Sequence, residues 1–458
     1  MNTPTADLLA RHFGALAFED IPPDVAAEAR RMLLDTVACI VAAGATEVGP
    51  VTAAAAAALG GLQTAGGRAY ALGRLADAMD FDEGYAGAHF GCGAVGAALA
   101  LARDRAVDGR ELLAAIVAGY ELGARVMDAV GPYYSRQDGR AVFSPVWGIA
   151  TPVVYAAAGA AARLLKLDPA QTVQALALAG SNSPIPVGAV WSSALALPNT
   201  KYCDTGWCTV AGVLAALGAA GGSTGLPDLL DRDDGLLRMV SALHPAPQAL
   251  LEGLGERWRL REVLYKEWPC CGLIAGPMHN LLQIRRDADI DPRRIERIVA
   301  EVGAAVLTPR FVNADPRTYV SLQFSLPHNL AMLLLGVPPG PQWLSAERAR
   351  DPLVQALRAK VEVREHPQPW PEPRPGLDIR RKPSAITVVA GARTYRAETL
   401  VDAGEWKPPV WDDAAIVAKF HRQVAAPQAD RIAGDVMRLQ DLADLAPLLA
   451  ALDAARAV

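Results

Sequence analysis

The chain has 458 residues, long enough that a single core tends to split, so two domains are expected. Hydrophobic residues make up 52% but aromatics only 6%, which leaves Ala, Leu and Val to build a core of closely packed helices. A formal charge of -5, from 44 basic and 49 acidic residues with no basic run, argues against nucleic acid and anionic membranes as partners.

The first residues, MNTPTADLLARHF, lack the basic stretch, apolar core and cleavage site of a secretion signal, so a cytoplasmic location is expected. From Asp7 to about Gly222, apolar residues recur at helical spacing between breakers such as Ile21-Pro22-Pro23, Gly131-Pro132 and Leu167-Asp168-Pro169. This predicts helix after helix through half the chain. Two uncharged stretches, Pro145 to Ala162 and Thr205 to Pro227, are rich in Ala, Gly, Pro and Ser, which suits buried helices better than membrane spans.

After Trp268 the texture changes. Ile295 to Val302 and Val361 to Arg364 read as short strands, and Ile386 to Arg396 reads as a hairpin around a Gly-containing turn. A smaller α+β domain is therefore expected over 266–401. The proline-rich stretch Pro367 to Pro383 reads as a surface loop between strands. Helical spacing returns past Trp411, and Ala414 to Ala451 is expected to pack back on the first half, giving an all-helical domain of 1–265 with 402–458.

The six cysteines form no CxxC pair of the kind zinc ribbons and iron-sulfur clusters use, and read as small buried hydrophobes in a reducing compartment. Gly91-Cys-Gly93 follows no strand and does not fit a dinucleotide fingerprint. No cofactor or metal is expected. The densest chemistry is Met79-Asp80-Phe81-Asp82-Glu83, followed by His89 and the run Gly91 to Gly96. Three carboxylates beside a lone histidine are acid-base equipment, although an acidic group at a helix end also serves as a cap.

Several segments together resemble the MmgE/PrpD family, which includes 2-methylcitrate dehydratase, cis-aconitate decarboxylase and iminodisuccinate epimerase. They are Leu33 to Thr36, Asp80 to Glu83 with His89, Gly119-Tyr120-Glu121 with Arg125, Thr200-Lys201 with Gly206, Lys266 to Cys271, and Gln323 to Pro327. Their order and spacing match over about residues 5 to 425. The resemblance implies a large all-helical domain capped by an α+β lid, a homodimer, and an active site between the domains. It places Asp80, His89, Lys201 and Lys266 at catalytic or substrate-binding positions. Lys201 and Lys266 would then hold a substrate carboxylate and the developing enolate. His89, with an ordinary pKa of about 6.5, and Asp80 are the candidates for the base, and the sequence leaves the choice between them open.

Members acting on tricarboxylates usually carry further histidines. Here Asp77, Ser144 and Asp204 stand at three such positions, and Ala275 or Gly276 at a fourth. Asp77, Ser144, Asp204 and Tyr120 are expected to face the substrate. Imidazoles replaced by carboxylates make the pocket less positive, so methylcitrate is disfavoured against an acid with fewer carboxylates or with an amine. Ser144 is expected to hydrogen-bond a substrate hydroxyl, and His328 is a possible replacement acid. The leading expectation is a lyase of the dehydratase type acting on a small carboxylic acid. The alternatives are an epimerase or isomerase of an amino- or imino-dicarboxylate, and a catalytically silent scaffold.

Overall fold

The computed structural model describes residues 3–456 except 139, 186, 241–243, 371–381 and 401–409. The chain begins with α1 (Thr5–Gly14), α2 (Pro23–Gly44), α3 (Val48–Ala58), α4 (Ala65–Asp77), α5 (Gly91–Ala102) and α6 (Gly109–Val130). A hairpin of β1 (Tyr134–Gln137) and β2 (Arg140–Phe143) follows, then α7 (Ala150–Leu164), α8 (Pro169–Ser181), the short α9 (Ala189–Ser193), α10 (Thr205–Ala220) and a single turn, α11 (Leu236–Val240). The breakers act as capping chemistry predicts: Pro23 opens α2, and Asp168 caps α8 in a capping box with Gln171 while Pro169 fills its first turn.

The Ala- and Gly-rich composition sets how closely these helices pack. α7 is buried along nearly its whole length and lies against α5, α6, α8 and α10. A Cβ added at Gly119 of α6 would come within 2.4 Å of the Ala156 carbonyl oxygen on α7, so the two backbones touch where a larger residue would hold them apart. No single helix among the described residues is long and apolar enough to cross a membrane. The uncharged stretches instead supply α7 and α10.

The second half contains α12 (Ala275–Asp287), β3 (Ile295–Val302), four short helices α13 (Pro309–Val312), α14 (Tyr319–Phe324), α15 (Leu326–Leu334) and α16 (Ala346–Arg350), then α17 (Pro352–Arg358), β4 (Val361–Glu365), β5 (Ser384–Ala390) and β6 (Arg393–Thr399). The strands form one sheet in the order β4-β3-β5-β6, with β3 and β4 parallel and the other pairs antiparallel. α12 packs on this sheet. All three strand segments read from the sequence are strands. Most of the proline-rich loop lies outside the described residues.

The tail forms α18 (Asp413–Gln423), α19 (Ala429–Met437) and α20 (Ala446–Arg456), all three packed against α2. Lys419 of α18 ties them in: its buried ammonium pairs with Asp35 of α2 at 2.6 Å and donates to the Phe81 carbonyl at 2.8 Å. One tail residue thus braces the segment that carries the acidic cluster.

The architecture is mostly helical with a smaller α+β region. One departure from expectation is the β1–β2 hairpin, in a stretch expected to be helical throughout. Each strand has only four residues, too few for an alternating pattern to stand out from the surrounding helical text.

Candidate active site

The acidic segment leaves α4 at Asp77 and turns at Asp80, which adopts a left-handed φ of 54°. Asp tolerates this region better than most residues, and strained backbone of this kind survives where the surroundings hold it. Gln323 holds it from one side, donating to the Ala78 carbonyl at 2.7 Å. From the other, Glu83 Oε1 accepts the Gly91 N–H at 2.7 Å and Oε2 accepts the Tyr120 hydroxyl at 2.9 Å. Gly91 opens α5, where helix N–H groups lack intrahelical partners, so the Glu83 carboxyl caps it. A Cβ at Gly91 would lie 2.3 Å from Glu83 Oε1, so that cap requires glycine. Gly84 then pairs with Leu264 as an antiparallel bridge, bringing the 264–274 segment alongside.

These two segments and the loop before α10 converge on Asp80. Its Oδ1 accepts from Lys201 Nζ at 2.8 Å and from Lys266 Nζ at 2.7 Å, and lies 3.4 Å from His89 Nε2. Lys266 also donates to the Asp80 carbonyl at 2.9 Å and stands 3.3 Å from His89 Nε2. Lys201 bonds Asp77 at 2.5 Å. His89 Nδ1 faces the Glu83 carbonyl at 2.6 Å and the Asp82 carboxylate at 3.4 Å. A carbonyl only accepts, so Nδ1 carries the proton, and in the neutral ring Nε2 presents its lone pair toward Lys266.

Three carboxylates, Asp77, Asp80 and Asp82, share this volume with two ammonium groups and one imidazole. Burial would raise the pKa of Asp80, but Lys201 and Lys266 hold it well below the carboxylate range. Asp77 is pushed up to about 6, chiefly by burial against the pull of Lys201. Burial and Lys266 press the His89 pKa down, but Asp82 outweighs them and it ends above 6.5. Glu83, buried beside Asp82, is pushed up to about 8 and is neutral at pH 7. At pH 7 Glu83 therefore keeps its proton, and Asp77, titrating at about 6, exchanges one just below neutrality. Donor atoms of Asp77, Asp80, Asp82 and His89 lie within 4.8 Å of one another, a spacing that suits a cation, and the two lysines place positive charge against it.

A cleft of about 690 Å³, its open mouth included, lies in front of this cluster. Asp80, His89 and Lys266 form its polar end, and Tyr133, Tyr202 and Arg310 are among the other residues that line it. Burial raises the pKa of both tyrosines, so they are protonated donors at neutral pH.

Of the eight residues expected at the site, Asp80, His89 and Lys266 line the cleft. Lys201 and Asp77 belong to the cluster but do not line the cleft. Tyr120 is occupied with Glu83. Ser144 is buried, its Oγ accepting the Val146 N–H at 3.1 Å. Asp204 caps α10 through the Gly206 N–H at 2.9 Å, accepts the Tyr70 hydroxyl at 3.0 Å and pairs with Arg74. None of these three lines the cleft. His328 is buried, its Nε2 facing the Trp343 carbonyl at 2.7 Å, and burial lowers its pKa to about 4. Ala275 and Gly276 begin α12, away from the cleft lining. The sequence reading missed Tyr133, Tyr202 and Arg310. No motif surrounds Arg310, and only a scan for charges inside apolar text would have singled it out.

A mostly helical protein with an α+β region and a buried Asp-His-Lys cluster at one cleft is equipped for proton transfer beside a charged group. The MmgE/PrpD N-terminal domain matches residues 7–248 and the MmgE/PrpD C-terminal domain matches residues 268–438. The chain belongs to the MmgE/PrpD family, whose members are typically dehydratases and related lyases. A search of curated proteins returned no match.

Proposed function

We propose that the chain is a cofactor-independent lyase of the dehydratase type, removing the proton α to a carboxylate of a small acid other than methylcitrate. The observation that carries this reading is the pairing of His89 Nε2 with Lys266 Nζ at 3.3 Å on the cleft wall. A base and a cation side by side are what enolate formation requires.

In this reading His89 is the base, its ring oriented by the Glu83 carbonyl. The Lys266 N–H that faces Nε2 turns to the substrate carboxylate. That motion frees the lone pair and brings the ammonium to where negative charge develops. The Cα–H bond breaks, its proton goes to Nε2, and its electron pair moves into the carboxylate as an enediolate. The pair then forms the alkene as the β carbon–oxygen bond breaks, and the leaving oxygen takes a proton from a neutral cleft tyrosine, Tyr133 or Tyr202. The new imidazolium faces Asp80 and Asp82, which stabilise it until its proton passes through water to the tyrosinate, restoring both groups.

Proton NMR in deuterium oxide with a panel of hydroxy-, amino- and unsaturated acids tests the reading. Alkene formation or hydration supports it. Exchange at Cα without elimination would replace it with an epimerase, and silence with every acid would move the chain toward a scaffold role.

A further inference from the structure

We infer that Arg310 is the receptor for a second substrate carboxylate, so that the cleft selects an acid with a carboxylate beyond the one activated at His89 and Lys266. The inference rests on the carboxylic-acid reading above and narrows its substrate class.

Arg310 lies on α13, is 2% exposed and lines the cleft. Its guanidinium carbon sits 4.5 Å from the Phe311 ring centre, 5.1 Å from Trp147, 5.2 Å from Phe143, 5.3 Å from Trp191 and 5.7 Å from Phe324. These rings favour a cation through their faces but leave its N–H donors unused. Nε and Nη1 are buried without a hydrogen-bond partner, and no carboxylate among the described residues forms an ion pair with the group. Arg358, equally buried, also leaves Nε and Nη1 without partners, but it donates to the Ala349 carbonyl at 2.7 Å and does not line the cleft; two arginines nearer the helical core are satisfied differently. Arg125 donates to the carbonyls of Leu250, Glu252, Gly253 and Arg257, and Arg259 pairs with Asp128.

A buried charge without hydrogen bonds is costly to a fold, so a guanidinium left this way at a cleft wall marks a place for an anion. The cleft's chemistry leaves Arg310 to that role. Lys266 is bonded twice to Asp80 and has only the N–H facing His89 for the activated carboxylate, and Lys201 is held by Asp77 and Asp80 without lining the cleft. Burial lowers the Arg310 pKa to about 10, which keeps it charged at neutral pH. A carboxylate matches the guanidinium fork with two parallel hydrogen bonds.

The test is calorimetric titration of the full chain with succinate and glutarate against butyrate and pentanoate, for the parent, Arg310→Met and Arg310→Lys. The parent is expected to bind each dicarboxylate at least about tenfold more tightly than its monocarboxylate match. Arg310→Met is expected to erase that preference with no loss of melting temperature, since it removes a buried unpaired charge. Arg310→Lys keeps the charge without the fork and should retain part of the preference; if the Met variant does not fold, a reduced preference in the Lys variant decides the matter. A preference that survives in Arg310→Met, or a parent that binds mono- and dicarboxylates alike or binds neither, overturns the inference. Deuterium exchange separates it from the activity. Exchange of monocarboxylates as fast as dicarboxylates would leave the chemistry standing and remove the Arg310 role. Dicarboxylate preference without exchange would do the reverse.

Discussion

Lys266 meets Asp80 twice, donating to its carboxylate at 2.7 Å and to its main-chain carbonyl at 2.9 Å. One ammonium therefore holds both the charge and the left-handed backbone of the residue at the centre of the site. Replacing that carboxylate by an amide keeps an acceptor but removes the charge that Lys201 and Lys266 share. Asp80→Asn is expected to lower stability by about 3 kcal/mol, since breaking a buried pair leaves its partner uncompensated. Urea denaturation measures this, and an unchanged midpoint would show that the two ammoniums are satisfied without Asp80.

The pH dependence of catalysis follows from His89. A base must be neutral, and its folded pKa lies above 6.5. The rate of α-proton exchange should therefore rise with pH through an apparent pKa higher than that of a free histidine. A profile of kcat/KM between pH 5 and 9 reads this directly. His89→Gln should abolish the exchange, and an unchanged rate in that variant would transfer the base role to another group.

Glu83 gives a prediction for stability alone. Its folded pKa of about 8 lies above the ordinary value of 4.5, so its stabilising contribution is complete below pH 4.5 and is lost as pH rises through 8. Glutamine would still accept the Gly91 N–H and could donate to the Tyr120 hydroxyl oxygen, without a charge to bury. Glu83→Gln should thus match the parent at pH 5 and exceed it at pH 9 by a few kcal/mol, on the order that such a shift implies. Melting curves at the two pH values check it; a constant gap would mean that Glu83 does not titrate in this range.

Asp204 is placed to act on the fold and not on the substrate. Asp204→Ala removes the cap of α10 and the partner of Arg74, which should cost about 1 to 3 kcal/mol. Substrate KM should remain at the parent value in the folded variant. A tenfold rise in KM with little loss of stability would put Asp204 at the ligand after all.

The helices, the three strand segments and the acidic block with its histidine were legible because each depends on local pattern: apolar spacing, caps, and charges close together in the chain. The β1–β2 hairpin escaped because four-residue strands carry too little periodicity. Tyr120, Ser144 and Asp204 were expected at the substrate from their places in a family pattern, which says nothing of where a side chain finds its partner. Arg310 carried no local signal, since its five aromatic neighbours include residues more than a hundred positions away, such as Phe143 and Trp147.

By itself, then, the sequence determined the helical character, the α+β second half and the presence of an Asp-His pair nine residues apart, because backbone preference and short-range spacing are properties of the chain. Only the tertiary structure decided which charges neutralise one another. It spent Lys201 and Lys266 on the carboxylates and left Arg310 bare at the cleft wall, because ion pairing in a buried site depends on angstrom distances between segments that the chain order keeps far apart.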